Sequence, residues 1–88
     1  MCTYISHRAA VEGSAKGPNG WFSLTQANVG FDHPVHAPLD HAFLLDFANP
    51  SLGLDARVGI EMNLASAKEL VAKLEQAIKE AEASGVAE

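Results

Sequence analysis

The hydrophobic period of this chain changes once, and that change limits what it can fold into. Up to residue 64, apolar side chains recur mainly at alternate positions, as in strands with one buried face. Beyond it, Leu70, Val71, Leu74, Ala77, Ile78 and Ala81 recur at helical spacing and form a single stripe. Ser66 followed by Glu69 reads as a capping box, and Gly85 as a helix stop. The spacing therefore predicts one helix over 66–83, at the C-terminal end of a β-rich chain.

The strands follow from alternation and punctuation. Thr3, Ile5, His7, Ala9 and Val11 alternate with Tyr4, Ser6, Arg8, Ala10 and Glu12, which predicts a half-buried strand. The stretch from Gly13 to Gly20 is rich in turn residues, and a second strand runs from Trp21 to Phe31. A third covers His41 to Phe47, the run Asn49 to Gly53 breaks it, and a fourth follows from Arg57 to Leu64. Short connections favour antiparallel neighbours. At 88 residues and 9.3 kDa the chain has room for one domain, 1–88. The fold class is α+β: a four-stranded antiparallel meander with one C-terminal helix packed on one face.

Centring the hairpins on Lys16–Gly17, His36–Ala37 and Gly53 pairs Ile5 with about Val29, His33 with His41, and His41 with Leu64. One face then carries Ile5, Trp21, Val29, Phe31, Phe43, Leu45, Phe47, Ile60, Met62 and Leu64, and the helix is expected to cover it. His7 falls on that face, where it reads as a hydrogen-bonded core histidine. The opposite face is mixed, with Leu24, Leu44, Asp46, Arg57, Gly59 and Glu61. A small domain gains stability by pairing such a face, or a sheet edge, with a second copy, which predicts a homodimer. Glu61, Arg57 and Asp46 fit either a polar pocket for a small-molecule ligand, opened by Gly30 and Gly59, or a cross-strand ion pair at the interface.

Charge narrows the partners. Six Lys and Arg against 11 Asp and Glu give a net charge of −5 with no basic run, which argues against nucleic acid and anionic membranes. No stretch approaches the roughly 20 apolar residues of a membrane span, and no basic-then-apolar leader opens the chain. A single cysteine, Cys2, forms no internal disulfide and points to a reducing, cytoplasmic setting.

The chemistry concentrates between the second and third strands. Three of the four histidines, His33, His36 and His41, lie in one connection stiffened by Pro34 and Pro38. Asp32 and Asp40 flank them as further ligands or as acceptors that fix an imidazole tautomer. Meander topology brings Cys2 to the same end of the sheet. One thiolate with two or three imidazoles makes a tetrahedral set for zinc, and copper, nickel or iron take similar ligands. The expectation is a transition-metal site of His33, His36, His41 and Cys2, with Cys2 a ligand or a reactive thiol. An open coordination position would let a metal-bound water act as a nucleophile, as in a metalloenzyme. The alternative is a non-enzymatic dimeric binding module that uses the mixed face, with the histidines as loop residues.

The opening Met1-Cys2-Thr3-Tyr4, the turn leading to Gly20-Trp21-Phe22, the Phe31-Asp32-His33-Pro34-Val35-His36-Ala37-Pro38 motif with His41, and Asp46-Phe47-Ala48-Asn49-Pro50 together resemble a family of small bacterial proteins of unknown function. The resemblance covers nearly the whole chain. It implies a single domain and draws interest to Cys2 and the histidine loop, without supplying an activity. An acidic residue often stands in that family where this chain has His7, which argues against a functional role for His7.

Overall fold

The computed structural model describes residues 5–86. Strands β1 (Ile5–Gly17), β2 (Gly20–Asp32), β3 (Ala42–Ala48) and β4 (Arg57–Met62) form one antiparallel sheet in chain order. Helix α1 (Leu64–Ser84) follows on one side of it. This is the α+β meander expected from the change of period.

The first hairpin extends further than its composition suggested. Gly17 pairs with Gly20, so only Pro18 and Asn19 remain as the turn, and Gly13 to Gly17 are strand. Proline supplies the φ a first turn corner needs, and Gly20 closes the turn at φ 109°. Ile5 pairs with Phe31 rather than Val29, an offset of two that keeps the side chains from Ile5 to Ala10 on their expected faces. Between Ala10 and Gly13 a bulge takes up one extra residue of β1. Beyond the bulge Ala15 pairs with Phe22, so the odd positions of β1 change faces. The hairpin tip meets the β3–β4 connection, where Asn19 Nδ2 donates to Asp55 Oδ2 at 3.5 Å.

The other two ladders match the predicted register: Asp32 pairs with Ala42, and Phe43 with Met62. Three rows cross the apolar face: Ile5–Phe31–Phe43–Met62, His7–Val29–Leu45–Ile60 and Ala9–Ala27–Phe47–Val58. On the other face run Ser6–Gly30–Leu44–Glu61 and Arg8–Asn28–Asp46–Gly59. Between β3 and β4 the buried Asn49 organises a short 3-10 turn. Its Nδ2 donates to Ser23 O at 2.9 Å, and its Oδ1 accepts from Ser51 Oγ at 2.6 Å.

Helix α1 begins earlier than the capping box implied. Asn63 is the N-cap and its Oδ1 accepts from Ser66 N at 2.8 Å, so Leu64 opens the helix instead of ending a strand. Gly85 ends it in the left-handed region at φ 75°, as expected.

The helix leaves much of its face of the sheet open. The buried apolar residues among those described are all alanines: Ala27, Ala42, Ala48 and Ala56. A groove of about 600 Å³ runs between Val29, Phe43, Leu45 and Phe47 of the sheet and Leu70, Val71 and Leu74 of α1. Leu74 remains 59% exposed. His7 is exposed rather than a core histidine, because β1 is the sheet edge and contributes nothing to this groove. Trp21, also placed on the covered face by alternation, is 71% exposed near the hairpin tip.

The two capping assignments differ measurably. Asn63→Ala should lower unfolding stability by about 1 kcal/mol, the usual loss for an N-cap. Ser66→Ala, which keeps the bonded backbone amide, should cost well under half of that. Urea unfolding followed by far-UV circular dichroism compares the two.

Candidate functional site

The β2–β3 connection is held from below by a carboxylate. Glu61, on β4, accepts from Val35 N at 2.6 Å, from His36 N at 3.1 and 3.3 Å, and from Ala37 N at 2.7 Å. Three successive amides converging on one anion form a backbone nest. The sequence carried a signal for this. Pro34 and Pro38 have no N–H, so the amides between them are those of Val35, His36 and Ala37, the three that Glu61 takes. What the sequence lacked was the fold-back of the loop onto the mixed face, which selects the carboxylate. Donation from Ala37, then Val35, holds the Glu61 carboxyl below the usual carboxylate range against a smaller opposing effect of desolvation.

Beside this clamp the mixed face is concave. Val35, His36, Leu44, Asp46, Arg57, Gly59 and Glu61 are among the residues lining a site of about 540 Å³. Arg57 grips Asp46 with two contacts, Nε to Oδ1 at 3.1 Å and Nη2 to Oδ2 at 3.1 Å. The two are diagonal neighbours across β3 and β4, and their cross-strand ion pair borders the concavity. At Gly59 nothing lies within 4 Å of where a Cβ would stand, so the floor is open there.

His33 and His41 come together elsewhere, past the paired ends of β2 and β3. Their ring centroids are 4.4 Å apart. His41 stacks on Phe31 at 5.5 Å, and Phe31 packs on Phe43 at 4.8 Å, so the imidazoles extend the aromatic row of the apolar face. His33 Nδ1 lies 2.8 Å from the Asp40 carbonyl oxygen. A carbonyl only accepts, so this contact needs a proton on Nδ1. Asp32 Oδ1 accepts from the His33 backbone amide at 2.7 Å and so fixes the loop entry.

Of the four residues expected to gather on a metal, the structure joins His33 and His41. The backbone of His36 is bound by Glu61 on the mixed-face pocket, and Cys2 lies outside the described residues. Among the described residues, no group of three or more His, Cys, Asp and Glu side chains is arranged to hold a metal ion. No helix among them is long and apolar enough to cross a membrane.

The clamp predicts a pH response with a definite sign. A carboxyl whose folded pKa is lowered contributes fully above the ordinary carboxylate range, and that contribution is lost as pH falls through the lowered value. Relative to the intrinsic rate at each pH, hydrogen exchange at Val35, His36 and Ala37 should therefore accelerate several-fold on acidification below that range. Glu61→Gln should show the faster exchange already at neutral pH. Unchanged exchange in the variant would show that the loop holds its shape without the carboxylate.

No curated protein and no solved structure matches this chain. A family model does, over residues 1–87, and its extent together with the single-sheet domain described above settles membership. The chain belongs to the Family of unknown function DUF6295.

Proposed function

We propose that this chain is a non-enzymatic binding module that takes a small-molecule ligand on the mixed face of its sheet. The observation that carries this reading is the Glu61 clamp, which makes a two-proline loop into a fixed wall over a concave site of about 540 Å³. Preformed walls reduce the ordering cost of binding. Leu44 and the bare backbone at Gly59 offer an apolar floor, while Arg57 retains N–H groups beyond the two that face Asp46. The ligand class is a small molecule with an apolar body and one hydrogen-bonding head. The lone cysteine and the net charge of −5 suit a reducing cytoplasm without nucleic-acid partners.

The test is a panel of small aromatic acids, alcohols and amines titrated into labelled protein. Amide shifts should cluster on Gly59, Leu44 and His36. Gly59→Leu, whose side chain enters open space, should keep the dispersed spectrum and lose those shifts. Shifts that persist in this variant, or cluster elsewhere, would refute the pocket.

A second reading rests on the imidazole pair. Metal-bound histidines commonly donate the other ring N–H to a carbonyl, the arrangement seen from His33 to Asp40. His33 and His41 would supply two ligands to zinc, or to copper, nickel or iron, with His36, Cys2 or water completing the set. Elemental analysis of tag-free protein decides: stoichiometric metal lost in both His33→Ala and His41→Ala supports the site, and folded metal-free protein removes it. The same assay on His36→Ala reads whether the third histidine joins.

A further inference from the structure

We infer that the apolar face of the sheet, together with the stripe of α1, is the interface of a two-fold homodimer. The area argues for it first. The chain exposes 6788 Å², whereas a compact monomer of 9.3 kDa exposes about 5,000 Å². Half of that excess, removed from each copy, already matches the roughly 800 Å² per partner of a standard interface. Exposed apolar side chains also border the groove on both sides. Val29, Ile60, Leu70, Val71, Leu74 and Ile78 are each more than a third exposed, on the two surfaces that border the groove or continue past it. Single monomers seldom leave such a continuous patch in water.

Charge indicates which partner fits. Lys68 and Glu75 both line this groove, opposite signs on the same helix two turns apart. A two-fold axis brings a surface against itself reversed, so Lys68 of each copy can face Glu75 of the other. A partner of one charge sign would leave one of them opposed. Sequence alone favoured association through the mixed face or an edge, whereas the uncovered area lies on the opposite side of the sheet. The ligand pocket and this interface use different faces, so the two proposals fail independently.

The experiment is sedimentation equilibrium of the full chain, with isotope-filtered NOEs on a mixed labelled and unlabelled sample. A mass twice that of the chain is expected, with intermolecular NOEs among Leu45, Phe47, Leu70 and Leu74. Leu74→Glu should weaken dimerisation at least about 30-fold, as loss of a central anchor does. Leu54→Glu, at a position 92% exposed in the β3–β4 connection, should not change it. If Leu74→Glu does not fold, the wild-type mass and filtered NOEs still decide. A monomer at about 100 µM, or a dimer whose NOEs map to the mixed face or an edge, would overturn the interface. So would a monomer whose groove instead takes an apolar dye or peptide.

Discussion

A single sheet has two faces, and this chain brings one helix to cover them. That constraint underlies most of the molecule. The strands present three apolar rows on one side, yet α1 lines a groove mainly with β2 and β3 and leaves the edge strand β1 uncovered. Burial of large side chains supplies most of the stability of small domains, and here the buried apolar residues among those described are alanines. The fold is therefore specified chiefly by backbone ladders, caps and turns, with its hydrophobic face available to a further surface.

The histidine loop shows how a local sequence cluster is divided by topology. Its two ends continue the apolar face, where His33 and His41 join the Phe31–Phe43 row. Its middle is drawn to the mixed face because Val35, His36 and Ala37 need an acceptor and Glu61 is the one presented to them. The same carboxylate fixes the wall of the concave site through main-chain atoms of the loop.

Much of the fold was legible because alternation, turn residues and helical spacing agree along the chain. The registers of β2–β3 and β3–β4 followed from hairpin arithmetic, and the pairing of His33 with His41 followed with them. The first hairpin was less legible. Gly13 to Gly17 looks like turn chemistry, but ladder bonding with β2 overrides that composition, and a bulge carries no residue signature of its own. The helix start was misplaced for a related reason: Ser66 and Asn63 are both good caps, and only the path of β4 decides which one caps α1.

By itself the sequence determined the class of the protein: one antiparallel meander, one C-terminal helix, an acidic surface, and a two-proline loop with three amide donors between the prolines. These are local properties of period, composition and missing N–H groups. Tertiary structure alone decided where that loop lands and that Glu61 receives it. It also decided that the helix leaves its face of the sheet partly open. Each of these depends on the relative placement of residues more than 20 positions apart, which period and composition along the chain do not encode.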